Sequence, residues 1–284
     1  MPDSVTQWAR CCLAVLVGVM AEPLSAVECE LTSPAERAVE RMFSQQDVSF
    51  EGTVLFERAG NRQFMTVSWP DAEGQGAMRR MNVMVNPPTE RWSSPVHSPE
   101  RICDVLRMYA ASLGAERVVA GRLTQQLSLK PKDPLRLAHR FDLDTETGMA
   151  LAMATAGTDG QVLERFEYAH IQFGDVATET SYERSDEIYS RGRAVIPGFF
   201  LVSEDPVNGV FVVSDGLATA SIFVEPLPAG APAGEGAVIE GATLTYTRGV
   251  TGAEGRLLIS VLGEIPVVTA RLLADAVRPP GVAN

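Results

Sequence analysis

The longest stretch of regular patterning, residues 135–173, predicts three strands joined by two tight turns. Leu135, Leu137, His139, Phe141 and Leu143 alternate with Arg136, Ala138, Arg140 and Asp142. That period of two puts the first set on a core or cavity and the second in water. Asp144-Thr145-Glu146-Thr147-Gly148 then turns the chain, with Gly148 suited to a positive φ. Met149, Leu151 and Met153 mark the second strand, and Thr158-Asp159-Gly160 supplies the Asp-Gly step of a hairpin. The third strand passes through Val162, Phe166, Tyr168, Ile171 and Phe173. This meander has turn chemistry and no catalytic grammar, so it points to a binding surface.

The same reading organises the rest of the chain. Ser33-Pro34-Ala35-Glu36 starts a short helix as a capping box, with Ala38, Val39, Met42 and Phe43 on one stripe. Phe50, Gly52, Val54 and Phe56 share one face of a strand that turns at Ala59-Gly60-Asn61 into a second strand through Met65, Val67 and Trp69. Met81, Val83 and Val85 suggest another strand, ended by Asn86-Pro87-Pro88, in an otherwise loop-like stretch. A helix is expected over residues 98–113, striped by Ile102, Val105, Leu106 and Tyr109 and closed by Gly114. Sheet resumes over residues 117–129, and residues 174–193 lose periodicity and read as a linker. Strands follow at residues 199–203, 210–213, 219–224, 244–247 and 257–262, interrupted by a Pro/Gly/Ala-rich loop over 226–236, and a helix over 266–277 closes the pattern. The fold class is α+β: an N-terminal antiparallel sheet with helices, then a smaller C-terminal antiparallel sheet with one helix.

Composition narrows the function. The 284 residues are 45% apolar with a net charge of −12. The acidity argues against nucleic acid or an anionic membrane as the main partner, because phosphate contacts need basic patches. Arg10 followed by the apolar run of residues 11–21 reads as a secretory signal, too short to span a bilayer, with cleavage after Ala26 and residues 1–26 removed. The mature chain keeps Cys29 and Cys103, for which one disulfide in an oxidising compartment and two unpaired thiols are equally good readings.

Catalytic and metal-binding signals are poor: the chain lacks a G-x-S-x-G elbow, a P-loop and an H-E-x-x-H, and His97, His139 and His170 lack ligand spacing. No cofactor, metal or enzymatic activity is expected. Ser214-Asp215, followed by Gly216, is more simply a turn than part of a hydrolase site.

Four blocks, FDLDTETGMALAMATAGTDGQVLERFEY at 141–168, VIPGFFLVS at 195–203, VVSDGLATASIFVE at 212–225 and VLGEIPVVTARLLADAVR at 261–278, together resemble the MucB/RseB family. They occur in family order, and Ser49-Phe50-Glu51-Gly52-Thr53 is similar too. The resemblance implies a half-open β-barrel like that of the lipoprotein carriers LolA and LolB over residues 27–173, and a family C-terminal domain over 194–284. It implies a periplasmic regulator of the sigma-E envelope-stress response that binds the periplasmic domain of a membrane-spanning anti-sigma factor (RseA or MucA in the family) and shields it from regulated proteolysis. Lipopolysaccharide or lipid would weaken that complex; the alternative is a lipid or lipoprotein carrier of the LolA/LolB type.

With the resemblance, Phe50, Val54, Phe56, Phe141, Leu143, Met149, Leu151 and Phe166 become candidates to line an acyl-chain cavity, against packing on the two helices as the other reading. Ser214, Asp215, Gly216 and Leu217 become candidates to touch the partner. Family members usually carry more strand sequence than residues 69–95 supply here, which implies a shortened barrel with a smaller cavity or none.

Overall fold

Ser33 opens the first helix as its spacing requires. Its Oγ accepts from the Glu36 N–H at 3.2 Å while the Glu36 carboxylate accepts from the Ser33 N–H at 2.8 Å, and Pro34 loses nothing at the first helical position. In this computed structural model, residues 30–44, 49–69, 76–81, 90–92, 102–174, 193–228, 230–252 and 255–276 are described. Residues 1–29, which hold the expected signal, and most of the expected linker lie outside that set.

Helix α1 (Pro34–Phe43) buries Ala38, Val39 and Phe43 completely. The chain then runs through β1 (Phe50–Arg58), β2 (Asn61–Trp69), β3 (Gly76–Arg80), β4 (Glu90–Trp92), α2 (Ile102–Met108), β5 (Tyr109–Val119), β6 (Arg122–Pro131), β7 (Ala138–Asp144), β8 (Ala150–Ala156) and β9 (Val162–Phe173). The nine strands form one antiparallel sheet in the order β4-β3-β2-β1-β9-β8-β7-β6-β5. Gly60, Gly148 and Gly160 sit at φ of 79°, 76° and 81° in the turns read from the sequence. Of the strand expected through Met81, Val83 and Val85, Met81 is a turn residue and the rest falls outside the described residues, while β3 and β4 occupy parts of the stretch read as loop-like.

Two expectations need correction. The helix expected over residues 98–113 ends at Met108 among the described residues, and Tyr109 already belongs to β5, paired with Pro131. Long-range pairing with β6 overrides the helical stripe there. Residues 135–137 are not strand, and neither Arg136 nor Asp142 faces water: they are 0% and 4% exposed.

Asp142 is buried because the sheet curls. The β5–β6 hairpin turns at Ala120-Gly121, both at positive φ, and its tip reaches back over the sheet. Val119 packs with Val54, Leu151 and Tyr168, Arg122 lies 4.8 Å from the Phe173 ring centroid, and Arg117 donates to Asp142 at 2.7 Å and Glu167 at 3.0 Å. The edge strands β4 and β5 do not pair with each other, so the curl is open, as a half-open barrel requires.

The second sheet contains β10 (Ala194–Ile196), β11 (Phe199–Asp205), β12 (Val210–Ser214), β13 (Thr219–Pro226), β14 (Glu235–Glu240), β15 (Thr243–Gly252) and β16 (Gly255–Gly263). Its seven strands are antiparallel in the order β10-β11-β12-β13-β16-β15-β14. Helix α3 (Val267–Ala276) covers it with Ala270, Leu273 and Ala274 against Phe199, Ile222, Tyr246 and Ile259. Strands β10 and β14 were not expected. Both are edge strands, where alternation carries little burial signal; β14 is exposed along its whole length.

Arg136 joins the two sheets. Its Nε donates to Asp215 at 2.9 Å, one Nη to the Pro197 carbonyl at 3.0 Å and the other to Asp133 at 2.6 Å, and its guanidinium lies 4.9 Å from the Phe199 ring centroid. The Tyr109 hydroxyl also donates to Asp215, at 3.1 Å, and the Thr269 hydroxyl of α3 donates to the Leu135 carbonyl at 2.6 Å. Gly198 makes the approach feasible. It sits at φ 75° behind Pro197, and a Cβ there would collide with Arg136 and with the Met108 sulfur.

Gly198→Ala is therefore expected to destabilise the protein by roughly 2–3 kcal/mol in urea unfolding, from left-handed strain plus displacement of the guanidinium. Arg136→Met, which strands a buried carboxylate, is expected to cost about 3–5 kcal/mol. Adding Asp215→Asn to Arg136→Met should recover part of that loss, because Asn still accepts the turn N–H groups and leaves no orphan charge. A double variant as unstable as the two single costs summed would contradict this coupling.

Candidate inter-sheet cleft

Beside that joint the two sheets enclose a cleft of about 480 Å³, within the range of small-ligand sites. One wall is Phe141 of β7, Met153 of β8 and Phe166 of β9; the other includes Leu217, Thr219 and Thr243. The register explains the first wall: Phe141 pairs with Met153 and Met153 with Phe166, so the three side chains stand in a row on one face.

The polar end is built from Glu164, Glu264 and the flanking Arg58. Arg58 donates to Glu164 at 2.8 Å and to the Thr243 hydroxyl at 3.4 Å, while the Ala242 N–H reaches Glu164 at 3.4 Å. These bonds form a second contact between the sheets. Gly241, at φ 62°, is required there because a Cβ would run into Arg58 and Glu164. Glu264 is half-buried and has no hydrogen-bond or ion-pair partner among the described residues. Burial and the neighbouring Glu164 raise its carboxyl above the ordinary range, against the pull of Arg58. Arg165 also lines the cleft, held by Glu57 at 2.8 Å.

His139 stands at the inner end, 4% exposed, between the Tyr109 and Phe141 rings. Its Nδ1 lies 3.4 Å from the Thr155 hydroxyl, and its Nε2 has no partner. Among the described residues no group of histidine, cysteine and carboxylate side chains could hold a metal ion.

The residues singled out in the sequence do not gather into one site. Phe141 and Phe166 line the cleft, but Phe141 and Leu143 also pack on α1 and α2. Val54 and Leu151 are buried under the hairpin tip, with Phe50, Met149 and Phe166 against them, and Phe56 lies beneath Arg58 at 5.3 Å. Ser214–Leu217 is the turn between β12 and β13. Asp215 accepts the Leu217 and Ala218 N–H groups at 2.9 and 2.8 Å, and the Ser214 hydroxyl donates to the Ala218 carbonyl at 2.9 Å. Asp215 and Gly216 are buried and committed within the chain; Leu217 alone of the four lines the cleft. Cys103 is disulfide-bonded, and the other three cysteines, Cys29 among them, lie outside the described residues.

Sequence reasoning missed Arg136, Arg58, Glu164 and Glu264. A signal existed for two of them. Asp133-Pro134 forces a turn before Arg136, with the Asp133 carboxylate accepting the Leu135 N–H at 2.9 Å. Glu264 is the lone charge between Arg256 and Arg271, in a mostly apolar run.

Burial holds the His139 imidazole down at about pH 4, against its usual 6.5. The unfolded chain therefore takes up this proton at higher pH than the folded chain, so protonation favours unfolding. Stability is expected to fall between pH 6.5 and 4 by on the order of 3 kcal/mol from this group. Urea unfolding at pH 7 and pH 4.5 should show a smaller loss for His139→Gln than for the unaltered protein, and equal losses would contradict the assignment.

The comparisons with known proteins agree with this architecture. The family model for the MucB/RseB N-terminal domain matches residues 79–186, and that for the MucB/RseB C-terminal domain matches residues 193–278. The sigma factor AlgU regulatory protein MucB of Pseudomonas aeruginosa is 26% identical over 283 residues, covering 83% of this chain and 88% of that protein. The sigma-E factor regulatory protein RseB of Haemophilus influenzae is 24% identical over 188 residues, 58% of each chain. Among solved structures, the P. aeruginosa MucA/MucB complex superposes with a TM-score of 0.68 at 24% identity, covering 88% of this chain and 100% of that one. MucB in complex with periplasmic MucA gives 0.65 at 25% identity, with the same coverage. The two family models, which together match most of the chain, and a relative matched over 83% of it establish that the chain belongs to the MucB/RseB family.

Proposed function

We propose that this protein is an exported, periplasmic regulator of an envelope-stress sigma factor. It binds the periplasmic domain of a membrane-spanning anti-sigma factor and shields that domain from regulated proteolysis. The observation that carries the reading is the solved complex of a 25% identical relative with periplasmic MucA, which covers 88% of this chain. The interface uses the second sheet and the inter-sheet cleft, with Leu217 and Thr219 on one wall and Phe141 and Phe166 on the other. Asp215 keeps the two walls in register and does not itself meet the partner.

Export removes residues 1–26, and no helix among the described residues is long and apolar enough to cross a membrane. Cys29 then becomes the partner of Cys103, tying the start of the mature chain to α2. Lipopolysaccharide or free lipid releases the complex; Val54 and Leu151 are already filled in by packing, so the acyl chain does not enter beneath the hairpin tip.

The test is titration of the mature chain, residues 27–284, with the periplasmic domain of the host's anti-sigma factor. Saturable binding and slowed cleavage of that domain by its stress protease are expected, with both reversed by lipopolysaccharide. Absence of binding at micromolar concentrations of both proteins would overturn the reading.

A further inference from the structure

The inter-sheet cleft is apolar on its walls and short of a cation at one end. Its positive groups are spoken for: Arg58 is held by Glu164 at 2.8 Å and Arg165 by Glu57 at 2.8 Å. The carboxylate left over is Glu264, half-buried, facing Glu164 and without a hydrogen-bond partner among the described residues. At the inner end the buried Nε2 of His139 is also unpartnered. The buried His139 nitrogen costs free energy in the unliganded protein, and the half-buried Glu264 carboxylate, beside a second carboxylate, favours a cationic ligand.

We infer that the cleft is a subsite for one basic side chain of the partner, whose cationic head pairs with Glu264 and whose methylene stem lies on Phe141, Met153, Phe166 and Leu217. The inference rests on the proposed function and specifies the chemistry of its interface. Lysine and arginine suit the geometry because each carries a long apolar stem below its charge. The volume of about 480 Å³ admits either. An anionic lipid headgroup suits this end poorly, since Glu164 and Glu264 would repel it and both arginines are already paired. Because the cleft has walls from both sheets, a side chain seated in it bridges them, so occupancy and the arrangement of the sheets become coupled.

The experiment uses the mature chain and Glu264→Gln, which keeps the side-chain volume and is expected to melt at or above the unaltered protein's temperature. Binding of the anti-sigma periplasmic domain should weaken at least about tenfold in the variant. One Lys→Gln or Arg→Gln replacement in that domain should give a similar loss that does not add to Glu264→Gln. Independently of any protein partner, hexylamine should shift the His139 ring resonances in NMR, hexanoate should not, and Glu264→Gln should abolish the hexylamine shift. If the domain binds Glu264→Gln as tightly as the unaltered chain, the subsite is overturned while the regulator reading stands. If the domain does not bind but hexylamine does so through Glu264, the regulator reading falls and the cation subsite stands.

Discussion

The arrangement of the two sheets depends on a guanidinium and a carboxylate from which water is excluded. Arg136 and Asp215 are both fully buried, 79 residues apart in sequence, and each brings partners from its own sheet: Asp133 and Tyr109 from the first, Pro197 and the β12–β13 turn from the second. Desolvating two charges is expensive, and the attraction between them offsets this only when the remaining hydrogen-bonding capacity is also used. Here it is. Asp215 accepts from two backbone N–H groups, a guanidinium and a phenol, and Arg136 donates from all three of its nitrogens. Such a pair contributes little net stability against an apolar replacement, but it admits few alternative registers. A slip between the sheets would leave the carboxylate or the guanidinium unpaired.

That constraint explains the cleft. The Arg136 joint fixes the sheets at one end, and Arg58, Glu164 and the Ala242-Thr243 turn fix them at the other. Two glycines with positive φ, Gly198 and Gly241, allow the close approach at each contact. Between them the walls cannot collapse onto each other without breaking one of the joints, so the space lined by Phe141, Phe166 and Leu217 persists. His139 and Glu264 border this space. Of the buried side-chain atoms without a partner among the described residues, His139 Nε2, Asp142 Oδ1 and Tyr246 Oη, only the histidine nitrogen borders it.

Much of the fold was legible because it is governed by local rules. The capping box at Ser33, the hairpins at Gly60, Gly148 and Gly160, and the helix near the C-terminus all follow from spacing and turn chemistry within a few residues. The errors arise where distant residues decide the outcome. Tyr109 reads as the last apolar position of a helix, yet it is a strand residue because Pro131 lies opposite and Asp215 accepts its hydroxyl. Arg136 and Asp142 read as water-facing by alternation, yet the second sheet covers one and the β5–β6 hairpin, through Arg117, covers the other. Alternation reports which face a residue occupies and says nothing of what later covers that face.

The same distinction separates the two kinds of candidate residue. The aromatic and aliphatic set was visible as a pattern, and most of it is spent on packing: Leu143 on the helices, Val54 and Leu151 under the hairpin tip. Glu264 was invisible as a pattern because one charge at a strand end looks like a solvated terminus. Its environment gives it meaning, namely a second carboxylate beside it, an arginine already engaged, and a cavity alongside. An apolar surface in a sheet protein has many uses, whereas a half-buried carboxylate without a donor has few. It is tolerated where the folded protein gains function by leaving it for a partner to satisfy.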